Sequence, residues 1–136
     1  MDRAALLVAL ERALVSYPAL DFALLFGSRA RDRARSDSDV DVAIMPAGDW
    51  SLSTELALQG QLALAVGAGV DLVRLDRAPL LLAWEVVRDG IPIVGAADRV
   101  ARYQAEVALE HADAGPALES AARLFARRIA ERGVPG

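Results

Sequence analysis

Asp39 and Asp41 stand two residues apart in the run Asp39-Val-Asp-Val-Ala-Ile44, with ten residues separating them from Gly27-Ser28. Side chains alternate along a strand, so the two aspartates share one face while Val40, Val42 and Ile44 point into a core. Carboxylates about 7 Å apart along a strand repel unless a cation sits between them. Magnesium suits such a pair, because it is held by one or two carboxylates together with substrate phosphates. Gly27-Ser28 follows the apolar run Phe22-Ala-Leu-Leu-Phe26 and opens a short helix to about Arg35. Free N–H groups at such a turn favour a phosphate. Metal and phosphate chemistry within one segment point to nucleotidyl transfer.

The elements that must position these residues can be read along the chain. Leu6, Leu10 and Leu14 recur at helical spacing, and Tyr17-Pro18 ends that helix. Strands are predicted at about 21–26 and 39–45, and a helix from Ser51 to Val66 with Leu52, Leu56, Leu62 and Val66 on its apolar side. Gly67-Ala-Gly69 stops that helix, and a third strand runs from Val70 to Leu75. Pro79 opens a further helix that Gly90 ends, and Ile91-Pro-Ile-Val94 is a strand whose proline places it at a sheet edge. Beyond residue 97, Val100, Tyr103, Val107 and His111 fall at helical spacing, as do Leu118, Ala122, Phe125 and Ile129. Ala114-Gly-Pro116 between the two sets predicts a helical hairpin. The expected organisation is one domain: a core over 1–96 and a helical extension over 97–136.

Gly-Ser, a spacer, Asp-x-Asp and a later acidic residue on another strand resemble the nucleotidyltransferase superfamily of DNA polymerase beta, and within it the minimal nucleotidyltransferases. The third acid is then Asp71 in Gly69-Val-Asp-Leu-Val-Arg-Leu75, and Asp76 to Ile91 resembles the helix and strand that close the minimal members. The resemblance covers residues 1 to 95. It implies an α/β (α+β) fold with a mixed sheet flanked by helices. It also implies catalytic and metal-binding roles for Asp39, Asp41 and Asp71, with Asp71 orienting or deprotonating an attacking hydroxyl. Gly27, Ser28 and Arg29 would bind the nucleotide. Minimal members usually carry glycine where this chain has Asp32. A carboxylate there repels a triphosphate unless Arg29, Arg33 or Arg35 neutralises it.

Minimal nucleotidyltransferases are often paired with a HEPN RNase toxin and act as its antitoxin, moving AMP from ATP to a tyrosine of the toxin with Mg2+. The resemblance implies ATP as co-substrate, a HEPN-family toxin as partner and a hetero-oligomer. Two other readings remain open: an antitoxin that blocks its toxin by binding alone, and an aminoglycoside-type enzyme acting on a small molecule.

Composition narrows the rest. The 136 residues are 54% hydrophobic, with mean hydropathy +0.29, which hints at an apolar surface covered by another chain. The formal charge of −4 argues against general nucleic-acid binding. All 15 basic residues are arginine, so Schiff-base, lysine general-base and P-loop lysine chemistry are excluded. Cysteine is absent, which removes disulfides and thiolate metal sites. With no apolar run of spanning length and no signal-like N-terminus, a cytoplasmic location and no membrane contact are expected. Arg29, Arg31, Arg33 and Arg35 read equally well as a phosphate-binding patch or a solvated face offset by Asp32 and Asp37. His111, the sole histidine, reads as a packing residue, and Trp50 and Trp84 as core or interface anchors. Glu85 reads as a partner-facing charge.

Overall fold

The computed structural model describes residues 1–15, 17, 19–31 and 39–132; within the last helix, the side chains at 114–119, 121, 122, 129, 131 and 132 are left aside. Four strands and five helices follow in order: α1 (Arg3–Leu14), β1 (Leu20–Phe26), α2 (Gly27–Ala30), β2 (Val40–Pro46), α3 (Leu52–Val66), β3 (Val70–Arg74), α4 (Leu80–Asp89), β4 (Ile91–Gly95) and α5 (Ala97–Arg132). The sheet order is β3-β2-β1-β4. β1 runs antiparallel to both β2 and β4, whereas β2 and β3 are parallel, joined through α3. The sheet is mixed, as expected.

Strand alternation divides the core in two. Ala23, Leu25, Val40, Val42 and Ile44 face α1 and α3, where Leu6, Leu10, Leu14, Leu58 and Leu62 are buried. Phe22, Leu24, Phe26 and Ala43 face the other way, against Val86 of α4 and Val100 of α5. Asp41 and Asp71 fall on this second face by the same alternation. Local chemistry sets the helix ends: the Asp2 carboxylate accepts from the Ala5 N–H, Ser51 Oγ accepts from the Thr54 N–H, and Gly67 closes α3 in the left-handed region at φ 67°. Pro92 lies on β4, an edge strand, where a missing N–H is tolerated.

Two expectations need correction. Leu52 and Leu56 are exposed, whereas Leu62 and Val66 are buried as expected, with Leu58 beside them. The sheet meets only the stripe of α3 that continues from Val66, and the preceding leucines lie off it. The predicted hairpin over 97–136 is one continuous helix, Ala97–Arg132. Pro116 removes a single ladder donor, and the Ala-, Leu-, Glu- and Arg-rich sequence on both sides carries the helix through that loss. The first half of α5 packs on the core through Val100, Tyr103 and Val107, while Leu109, Leu124 and Phe125 are exposed.

Candidate functional site

β2 and β3 are parallel, and their register sets Asp41 directly opposite Asp71. Asp39 stands one residue before β2, and the Val40 N–H donates to the Gly69 carbonyl at 2.9 Å, tying that entry to the start of β3. The antiparallel partner of Asp41 on the other side is Phe26, the last residue of β1. Gly27 follows it at φ 73°, and a Cβ there would run into Asp41 Oδ2. Only glycine fits, both for its backbone and for its contact with the carboxylate. The Gly-Ser turn and the three aspartates are therefore gathered at one end of β1, β2 and β3.

Asp41 is half-buried, whereas Asp39 and Asp71 are exposed. Burial raises the Asp41 pKa above the usual carboxylate value, and the charges of Asp71, Asp39 and Glu85 raise it further. Arg31 opposes them. Its guanidinium is already 3.1 Å from Asp89 of α4. Arg88 and Arg31 together hold the Asp89 carboxyl below its ordinary range, Arg88 through the larger effect. The acid edge thus carries more negative charge than its own cation offsets, a condition that oxygen-loving divalent ions relieve. Among the described residues, no three acidic side chains close round a single point as a preassembled metal cage.

α2 is a single turn of four residues, so phosphate affinity there would come from the N–H groups of the turn rather than from a long helix dipole. Ser28 is half-buried and Arg29 buried, so Arg29 belongs to the floor of the turn rather than to an exposed basic patch. Arg3 braces the turn from α1 by donating to the Ala30 carbonyl at 2.9 Å. Asp32, Arg33, Arg35 and Asp37 lie outside the described residues.

Glu85 was missed as a neighbour of the acids. It lies 44 residues from Asp41 in sequence, and no local spacing signals their approach; only α4 crossing this face of the sheet does. Gly69 was read only as a helix stop. His111 packs as expected, stacked on Trp84 with ring centroids 4.2 Å apart. Trp50 is buried, and its Nε1 donates to the Ala19 carbonyl. A cavity of about 160 Å³ lined by Asp21, Arg99, Arg102 and Tyr103 lies at the other end of β1. Burial first, then Glu110 and Glu106, pushes the Tyr103 phenol up to about 12. Its ring packs on Phe22, four residues and about 14 Å along β1 from Phe26, so this tyrosine is remote from the acids.

A mixed sheet with a glycine-serine turn beside an Asp-x-Asp strand and a third acid on the parallel neighbour defines the nucleotidyltransferase class. The chain belongs to the polymerase beta nucleotidyltransferase family, whose model matches residues 9–99. It is 33% identical over 78 residues to protein adenylyltransferase MntA of Shewanella oneidensis, a match spanning 57% of this chain and 56% of that protein. It superposes with TM-score 0.72 on a chain of a toxin–antitoxin crystal structure with AMP-PNP, at 23% identity, covering 85% of this chain and 97% of that one. A chain in the structure of a tri-AMPylated Shewanella oneidensis HEPN toxin with MNT antitoxin gives TM-score 0.68 at 22% identity, over 88% and 98% of the two chains. Among the described residues, no helix is long and apolar enough to cross a membrane.

Proposed function

We propose that this chain is a cytoplasmic antitoxin that transfers AMP from ATP to a tyrosine of a partner HEPN-family RNase toxin and thereby silences it. The observation that carries the reading is the register of Asp41 against Asp71, with Asp39 at the entry to the same strands and Gly27-Ser28 beside them. Similarity to a protein adenylyltransferase and to toxin–antitoxin complexes supports the acceptor and the partner.

The donor set fits magnesium: three carboxylates and no soft ligand. Asp39, Asp41 and Asp71 would hold it, and when bound it would neutralise charge on the triphosphate and on the attacking and leaving oxygens. The turn at Gly27-Ser28 would offer its N–H groups and the Ser28 hydroxyl to phosphate oxygens. The acceptor's phenolic oxygen attacks the α-phosphorus in line with the bond to the β-phosphate. That bond breaks as the new O–P bond forms, and pyrophosphate carries away the electron pair. Asp71, exposed at the sheet edge, accepts the phenolic proton.

The test is a mass measurement. Incubated with ATP, magnesium and a HEPN-family RNase partner, the chain should make that partner heavier by adenylyl groups and unable to cut RNA. Asp41→Ala should prevent the mass change and leave the two proteins associated. Silencing without a mass change, achieved equally by Asp41→Ala, would replace transfer with occlusion.

A further inference from the structure

Two glycines touch the acids, and they differ in kind. Gly27 has both a left-handed backbone and no room for a side chain. Gly69 lies outside the left-handed region, so its backbone would accept any residue. Space alone distinguishes it. A Cβ built on Gly69 would lie 2.6 Å from Asp39 Oδ1, 3.3 Å from its Cγ and 3.8 Å from Oδ2, and these are the three atoms nearest to it. The Asp39 carboxylate therefore rests in the volume that a side chain at 69 would fill. Backbone pairing fixes the two against each other, since the Gly69 carbonyl accepts the N–H of Val40. Gly69 also lies two residues before Asp71 on the same strand entry.

We propose that Gly69 is a positioning residue for Asp39: its missing side chain is the seat that keeps this carboxylate beside the start of β3, from where it would join Asp41 and Asp71 in holding a divalent cation. The inference rests on the metal reading given under the proposed function. An alanine would force the carboxylate oxygen back by most of an ångström to reach ordinary contact. Asp39 is exposed, so rotation about its side-chain torsions gives that movement at little cost to folding. The cost falls on the ion, because magnesium demands near-ideal octahedral geometry and a site displaced by more than about 0.5 Å loses its grip.

The experiment measures magnesium-dependent AMP-PNP binding by calorimetry on the full chain, with melting temperature in magnesium-free buffer as a second readout. Gly69→Ala should weaken binding about 10- to 100-fold, the range for residues that orient metal ligands, with a melting temperature at or above that of the parent. In an Asp39→Ala background, Gly69→Ala should add nothing, since its effect passes through the carboxylate. Binding by Gly69→Ala within twofold of the parent, with Asp41→Ala inactive in binding, would overturn the positioning role and leave the metal reading standing. Parent-like binding by Asp41→Ala would overturn the metal reading and this inference with it. An equal loss from Gly69→Ala with or without Asp39 would overturn the inference alone. If Gly69→Ala does not fold, the double variant must fold; failure of both would also overturn it.

Discussion

The two ends of β3 treat charge in opposite ways. At its C-terminal end the Arg74 guanidinium is buried and bound on every side. It donates to both Asp76 oxygens at 3.1 and 2.7 Å and to the Trp50 carbonyl at 3.1 Å, and it lies 3.9 Å from Glu55. Asp76 raises its pKa, which for a base means that the charged form is favoured. Three residues earlier, Asp71 faces Asp41 with Asp39 and Glu85 nearby. There the raised pKa of Asp41 means that the charged form is disfavoured. One strand thus holds a charge that is settled by the protein and another that awaits a counter-ion. The first arrangement is structural; the second is where we propose that a cation binds.

The largest expected effect comes from emptying the unsettled end. Asp41→Ala with Asp71→Ala should lower magnesium-dependent nucleotide affinity by more than about 100-fold, measured by calorimetry, with no loss of melting temperature in magnesium-free buffer. Disturbing the settled end should do the reverse. Arg74→Ala strands Asp76, Glu55 and the Trp50 carbonyl, and the melting temperature followed by circular dichroism should fall by roughly 5–10 °C. Nucleotide affinity below that transition should stay within about twofold. A selective loss of nucleotide binding in Arg74→Ala would erase the contrast between the two ends.

A smaller effect lies in the pH response of the acid end, where Asp41 and the neighbouring Asp89 of α4 shift in opposite directions. The native state of Asp41 holds its proton to higher pH than the unfolded chain does, so in magnesium-free buffer its contribution weakens as pH rises through and above about 4. Asp89 has a lowered pKa and acts oppositely, contributing above its ordinary range and losing that contribution as pH falls. Asp41→Asn should therefore remove the decline that sets in above about pH 4, by no more than about 2 °C in melting temperature, and magnesium should no longer raise the melting temperature at neutral pH. An unchanged response to magnesium in Asp41→Asn would sink the picture of an edge awaiting a cation.

What was legible in the chain was whatever repeats at short range. The period of two in 39–44 places Asp39 and Asp41 on the face opposite Val40 and Val42, and Leu6, Leu10 and Leu14 are buried as their spacing requires. The glycines after Val66 and Asp89 end their helices. Illegible were contacts made across the sheet. Glu85 nears Asp41 because α4 crosses the strands, and Gly69 comes beside Asp39 through the backbone bond between Val40 and Gly69, residues 29 apart. Leu52 and Leu56 misled because a leucine stripe does not say which part of it meets the sheet. Gly115-Pro116 misled because a single lost donor is outweighed by the strong helix formers flanking it.

The sheet's outer strands carry one more consequence, for solubility. A four-stranded sheet has two outer strands whose outward backbone groups can invite a neighbouring chain to add a strand, and on β3 the Val70 carbonyl is already taken by Gln59 Nε2 at 2.6 Å. β4 carries Pro92, which withholds a donor, and the second residue of β3 is the exposed Asp71, facing Asp41. A second copy approaching along β3 would bring its own carboxylates against these. The negative charge proposed to hold a cation would also oppose such strand addition, because like charges on an edge repel.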